Sequence, residues 1–320
     1  MTKKLSLILA IIALLPCTFC SAPHDNPFDP TLSGTLQGWV VDRQGNGIEG
    51  AGISLAPVNI DETTDDRGQF KVYSLPPDQI LIRCRHSLYA SESLSCRLER
   101  GRIDSVYFAL NGLPKLVSGK ITTFHWVRSW PLDDLYFCTT EAAIDDPDGM
   151  ADVDSVTLSV PQLALRAGLD YDQHRRTYSH TIWAESLPGG QLEILSGKPF
   201  HLQARDQLGA VDSSGPHYIS RIVYPVPKTL FPRGWQDTVP ATFTLVWTKF
   251  REGYGASYAL EIVHIETNRV AYSHQSFSID DTSHLLLFPL APGNYYWTIA
   301  VRDEFGNTAR DKETAFVVRP

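Results

Sequence analysis

Four places in the chain hold residues whose types and spacing can do chemistry. Cys17 and Cys20 stand in L-L-P-C-T-F-C-S-A-P, a C-x-x-C spacing that serves redox pairs and half zinc sites. A redox pair opens a helix after a strand, and a zinc site needs a second Cys or His pair at ligand spacing. Neither context exists around these two. Asp145, Asp146, Asp148, Asp152 and Asp154 crowd into D-D-P-D-G-M-A-D-V-D, the densest acidic stretch. Calcium takes six to eight oxygen ligands, and spaced aspartates around a glycine turn are how loops supply them. The EF-hand order is not met, however, and Pro147 with Gly149 equally makes a β-turn that the aspartates cap. Turn and calcium loop both stay open.

F-H-W-V-R-S-W, from Phe124 to Trp130, is the third place. On a strand, Phe124, Trp126, Arg128 and Trp130 share one face. Exposed, that face is a platform on which sugar rings stack, with Arg128 reaching a hydroxyl or carboxylate. Buried, it is core or a domain contact. Trp235, in F-P-R-G-W-Q, is a loop aromatic of the same kind. The fourth place is H-R-R-T-Y-S-H, whose His174 and His180 fall on one side of a strand with no carboxylate in register. No G-x-S-x-G elbow and no phosphate-cradling glycine loop occur. No catalytic residue is assigned.

Three further cysteines follow. Cys84, in I-L-I-R-C-R-H, and Cys96, in S-L-S-C-R-L, lie in two alternating runs. A hairpin turning near Ala90 sets them opposite each other, so a Cys84–Cys96 disulfide is expected, with two buried free thiols as the alternative. Cys138, in L-Y-F-C-T-T, reads as a free buried thiol.

The flanks of the first cysteine pair say where the rest works. Lys3 and Lys4 precede an apolar run from Leu5 to Leu15, the layout of an export signal too short to span a bilayer. The segment resembles the end of a bacterial lipoprotein signal peptide, which implies acylation of Cys20, with Cys17 as the alternative. S-A-P-H-D-N-P-F-D-P then resembles a lipoprotein tether. Ordinary cleavage after Ala22, giving a secreted protein, is the competing reading. The chain has 320 residues and a formal net charge of −8. An acidic balance argues against nucleic acid as a partner, since phosphate binding needs clustered Lys and Arg. The expected membrane partner is reached through the lipid anchor, at the outer membrane or cell surface.

Short alternating runs bounded by Gly, Pro, Asn and Asp fill the remainder, which predicts an all-β chain of three consecutive β-sandwiches. The boundaries read as a signal over 1–19, a tether over 20–32, and sandwiches over 33–112, 113–226 and 227–320. In the first, G-W-V-V-D-R-Q-G-N-G-I-E-G-A-G-I-S-L, T-D-D-R-G-Q-F and S-L-P-P-D-Q-I-L-I occur in order. Val40, Ile53, Leu55, Phe70 and Val72 point inward. Asp42 and Asp65 accept backbone N–H groups at turns where Gly45 and Gly68 take positive φ. This series resembles the carboxypeptidase regulatory-like domain, a transthyretin-like sandwich, which implies a structural module without catalytic residues. The H-x-x-E pair of a zinc carboxypeptidase does not occur.

The second and third modules share a repeat, H-L-Q-A-R-D-Q-L-G-A-V-D from His201 and T-I-A-V-R-D-E-F-G-N-T-A from Thr298. It predicts a hairpin late in two immunoglobulin-like sandwiches. The third resembles a fibronectin type III domain. L-V-W places a core Trp247, and L-A-P-G-N-Y matches that family's tyrosine corner, in which Tyr295 caps upstream backbone. Tyr295, Trp297, Ile299 and Val301 should fill its core. The resulting expectation is a non-enzymatic envelope lipoprotein that spaces, adheres or binds, with a glycan or an envelope protein as partner. A carbohydrate-binding array is the alternative, and a hydrolase the third. No cofactor is expected beyond the calcium option.

Overall fold

The period-two alternation becomes strands throughout. A computed structural model describes residues 32–319 and is all-β. The export signal, Cys17, Cys20 and nearly all of the tether lie outside the described residues. The chain divides between Leu113 and Pro114 into two compact units.

In the first unit, β1 (Gly34–Val41), β4 (Gln69–Leu75) and β7 (Ile103–Ala109) form a sheet in the order β4-β1-β7. β2 (Gly52–Ala56), β3 (Ile60–Thr63), β5 (Gln79–His86) and β6 (Tyr89–Arg97) form a second, ordered β3-β2-β5-β6. Leu36, Val40, Ile53, Leu55, Phe70, Ile80, Ile82 and Phe108 are buried in its core. Two turns share one chemistry. Asp42 Oδ1 accepts the N–H groups of Gln44 and Asn46, and Asp65 Oδ1 accepts those of Arg67 and Gln69. Gly68 closes the second turn at φ +73°, where a Cβ would lie 2.1 Å from the Val40 carbonyl oxygen, so only glycine fits.

The expected Cys84–Cys96 disulfide is not formed. Both cysteines are free thiols, because the β5–β6 hairpin closes from His86 to Tyr89 instead of near Ala90. That earlier turn puts Cys84 opposite Glu92, and Cys96 opposite Ile80. Four positions of offset, at about 3.3 Å each, exceed the roughly 7 Å Cα limit for a bridge. Burial and the nearby Glu92 push the Cys84 thiol up to about 11. Cys138, in the second unit, is buried and pushed up to about 12 by burial.

The second unit is built on one ten-stranded sheet. Its main path runs β12 (Asp170–Asp172), β13 (Thr177–Trp183), β9 (Leu135–Asp145), β8 (Lys115–Trp126), β23 (Thr308–Arg310), β22 (Gly293–Asp303), β19 (Ala256–His264) and β20 (Arg269–Ser278). β24 (Thr314–Val318) pairs with β22 and β17 (Thr238–Val239) off that path. Two small sheets cover one side. The first is β11 (Leu165–Gly168), β10 (Val153–Val160), β14 (Phe200–Asp206) and β15 (Val211–His217). The second is β16 (Thr229–Phe231), β18 (Thr244–Trp247) and β21 (Ser283–Leu285). Each encloses its own core. Ile121, Cys138, Leu158, Ile182 and Leu202 belong to one, and 3-10 turns between Ala184 and Leu195 add Leu187, Leu192 and Leu195 to it. Trp247, Tyr258, Tyr295, Trp297, Ile299 and Val301 belong to the other. Tyr295 donates its hydroxyl to the Ala291 carbonyl at 2.9 Å, the capping bond expected of the L-A-P-G-N-Y motif.

What joins the two sandwiches is backbone. β23 runs parallel to β8, with Phe124 beside Thr308, His125 beside Ala309 and Trp126 beside Arg310. Beneath this seam, Thr123 N–H donates to Asn307 Oδ1 at 2.9 Å, and Asn307 Nδ2 donates to Ser220 Oγ and Asp303 Oδ2. Thr123 Oγ1 donates to the Arg221 carbonyl, and Arg221 Nη1 donates to Asp303 Oδ2 at 2.8 Å. Asn307 is fully buried. Asn307→Ala strands several of these groups at once, so it should cost about 2–4 kcal/mol of unfolding free energy. Urea denaturation of the purified chain measures this. An unchanged midpoint would show that the seam does not depend on the amide.

Candidate functional site

Within the second unit, no described strand covers the outer face of the ten-stranded sheet where β8, β23, β22 and β19 meet. Residues of even number on β8 and β23 point away from both cores there, because parallel partners face the same side. Phe124 and Trp126 come from β8, and Thr308 and Arg310 from β23. Arg302 on β22, Glu261 on β19 and Gln275 on β20 complete a cleft of about 210 Å³. The aromatics are held from the side, by residues of β9 and β13 on the same face. Phe137 stacks on Phe124 at 4.8 Å, meets Trp126 edge-on at 4.8 Å and touches Trp183 at 4.7 Å. The Arg310 guanidinium lies 4.6 Å from the Trp126 ring centroid, within cation–π range, and its Nη2 donates to Glu313. Arg310 Nε is buried without a hydrogen-bond acceptor. The cleft therefore offers aromatic faces, guanidinium donors and amide hydrogen bonding, which is the chemistry of binding an amphipathic, hydroxyl-rich or anionic ligand.

The structure splits the expected platform. Phe124 and Trp126 share a face and line the cleft, but β8 ends at Trp126. Asp134 Oδ1 then accepts the Arg128 N–H, and the Asp133 carbonyl accepts Arg128 Nε, which turns the chain off the strand line. Arg128 instead borders a separate hollow with Asp133, Tyr136 and Trp183. Trp130 is 92% exposed on the loop and lines neither. Arg302 and Arg310, absent from the sequence reading, replace Arg128 as the cleft's cations. Trp235 is exposed.

The acidic stretch is also sorted. Asp146, Asp148 and Asp152 bring carboxylate oxygens within 4.8 Å of one another, while Asp145 and Asp154 are exposed outside that group. Asp146 Oδ1 accepts the Asp148 N–H at 2.9 Å, and Gly149 N–H donates to the Asp146 carbonyl. Burial first, then the charges of Asp152, Asp148 and Asp206, push the Asp146 carboxyl above the ordinary aspartate value, against the opposing Asp148 N–H.

No family model matches the chain, and no curated protein matches it. Among solved structures it is similar to BcpA, the major pilin subunit of Bacillus cereus, at 10% identity and a TM-score of 0.32, over 86% of this chain and 91% of that one. It is also similar to the fibronectin(III)-like modules of Clostridium thermocellum CbhA, at 12% identity and a TM-score of 0.30, over 64% of this chain and 93% of that one. The Bacillus anthracis TIE protein is similar at 10% identity and a TM-score of 0.27, over 90% of this chain, which spans 48% of that longer protein. Likenesses this distant carry no argument about activity, which is left to the residues themselves.

The packing beside the cleft makes a contrast that is easy to measure. Phe137→Ala empties a buried aromatic site and should cost about 3–5 kcal/mol of stability. Trp130→Ala, on the exposed loop, should stay within about 0.5 kcal/mol of the parent. Denaturant unfolding of the two variants checks the pair, and comparable losses in both would contradict the assignment of Phe137 as the support.

Proposed function

We propose that this protein is a non-enzymatic component of the bacterial cell envelope, anchored by a lipid on its N-terminal cysteine and acting at the surface as a binding and spacing element. The observation that carries this is the pairing of an export-and-acylation pattern at Lys3 to Cys20 with a body of β-sandwiches whose open cleft is lined by binding groups. At about 0.8 kcal/mol per buried methylene, two or three acyl chains hold a protein at a membrane far more firmly than the single chain that binds reversibly. The test is detergent phase partition of the protein expressed in a bacterial host. The parent should enter the detergent phase and Cys20→Ser the aqueous phase, with Cys17→Ser as the control. Aqueous partition of the parent would leave a secreted protein instead.

A second reading concerns what is bound. Trp126 and Phe124 present half-buried rings beside Arg310 and Arg302, an arrangement that suits a sugar ring stacked on an aromatic face with its hydroxyl or acidic groups on guanidinium. Carbohydrate of the envelope is the ligand class this favours. Titration calorimetry against the best responder on a glycan array should show Trp126→Ala weakening binding at least tenfold while Trp130→Ala leaves it unchanged. Equal affinities for parent and Trp126→Ala would remove the cleft from the binding site.

A further inference from the structure

The second unit repeats one hairpin turn with one difference. In Asp303-Glu304-Phe305-Gly306-Asn307, Asp303 Oδ1 accepts the Asn307 N–H at 2.8 Å, and its Oδ2 is met by Asn307 Nδ2 and by the Arg221 guanidinium. In Asp206-Gln207-Leu208-Gly209-Ala210 the backbone is the same, with Asp206 Oδ1 accepting the Ala210 N–H at 2.7 Å. Ala210, however, has no amide to donate. Facing this second turn is the acidic loop. Gln207 N–H donates to the Asp152 carbonyl at 2.9 Å, and Gln207 Nε2 to the Ala151 carbonyl at 2.8 Å, which fastens the two loops together. Beside Asp206 the second sandwich gathers three more carboxylates, those of Asp146, Asp148 and Asp152.

One atom points to what completes the group. Asp146 is 6% exposed, and its Oδ2 is buried without a hydrogen-bond partner. Leaving a buried carboxylate oxygen unmatched costs stability unless something positive reaches it. The spacing fits a metal ion. Oxygens on opposite sides of a calcium ion lie about 4.6–5.2 Å apart, twice the usual bond of 2.3–2.6 Å, and one carboxylate oxygen from each of Asp146, Asp148 and Asp152 lies within 4.8 Å of the other two. The donors are hard oxygens, which favour calcium or magnesium over zinc or copper. Magnesium holds several of its waters and demands near-ideal octahedral geometry, so a buried carboxylate cluster in a loop suits calcium.

We propose that Asp146, Asp148 and Asp152, with Asp206 beside them, form a calcium-binding site that locks the Asp145–Asp154 loop onto the Asp206–Ala210 hairpin. The site stands whatever the cleft binds. Its test uses the full chain, stripped with chelator and dialysed at pH 7, then titrated with calcium chloride in a calorimeter. One calcium per chain should bind, with magnesium at least tenfold weaker, and saturating calcium should raise the melting temperature. Asp146→Asn keeps the oxygen that accepts the Asp148 N–H but removes the charge. It should weaken calcium binding at least tenfold and abolish the calcium-induced shift, while in chelator it melts no lower than the parent because a repulsion has gone. Asp152→Asn should behave in the same way, and near-ultraviolet circular dichroism confirms that each variant is folded. Absence of calcium binding by the folded parent, magnesium binding as tightly as calcium, or unchanged calcium affinity in both variants would overturn the site.

Discussion

The parallel pairing of β23 with β8 is the constraint on which the second unit depends. Each sandwich on its own would end in a strand with unpaired N–H and C=O groups, a template for unwanted association. Here each sandwich covers the other's edge, and the backbone bonds that join them are as directional as those within either. The side chains beneath are matched to that purpose. Asn307 serves three partners from inside the seam, and Arg221 lays its guanidinium 3.7 Å from the Tyr254 ring centroid while bonding Asp303 and Glu304. A long connection without strand, from Tyr218 to Lys228, would ordinarily read as a linker. Its backbone and side chains are instead part of the joint, and Thr229 beyond it is held by the buried Asp311. The continuous outer face, and the cleft on it, exist only because this joint aligns two sheets as one.

A single turn chemistry recurs across the molecule with different endings. An aspartate caps the turn through one carboxylate oxygen, a glycine takes positive φ three residues later, and the strand resumes. Asp42, Asp65, Asp206 and Asp303 all do this. The fate of the second oxygen differs. At Asp42 it takes the Asn46 amide, and at Asp303 it takes both an amide and a guanidinium. The turns differ at that second oxygen, since the first is committed to the turn itself. Local sequence dictates the turn, and the residue after the glycine, together with whatever tertiary neighbour arrives, dictates whether the turn also glues or binds.

Much of this was legible beforehand, for reasons that are local. Alternation located the buried faces of Val40, Ile53, Leu55 and Phe70, and of Tyr295, Trp297, Ile299 and Val301, because a strand's two faces are encoded at adjacent positions. The R-D-x-x-G repeat announced two equivalent hairpins, and L-A-P-G-N-Y announced a capping tyrosine. Register and partnership were not legible. A hairpin centred two residues earlier than expected separates Cys84 from Cys96, and alternation is indifferent to a shift of that size because it preserves which face each residue occupies. The cleft failed for a related reason. Trp126 was visible as a candidate, but its cations come from β22 and β23, far along the chain, and no periodicity within β8 names them. Trp130 was assigned to the same face by extending an alternation past the residue where Asp133 and Asp134 stop the strand.

The geometry of β8 also decides how the cleft and the acidic loop relate. Lys115, at the start of the strand, pairs with Asp145 at the edge of the acidic loop, whereas Trp126, at its end, pairs with Leu135 beside the cleft. Eleven residues at about 3.3 Å each put the two regions roughly 36 Å apart along one strand. They share no side chain, and the hydrophobic core between them is closely packed around Cys138, Leu158 and Leu202. Charges that far apart are screened well beyond a Debye length at physiological salt, so a cation at one end leaves the field at Arg310 and Arg302 almost unaltered. Changes at such separated positions add independently unless a two-state element links them. The strand between is paired along both of its edges near the cleft, which makes it a poor hinge. A cation held by the acidic loop would therefore act within its own sandwich, and a ligand in the cleft at the seam, each without the other.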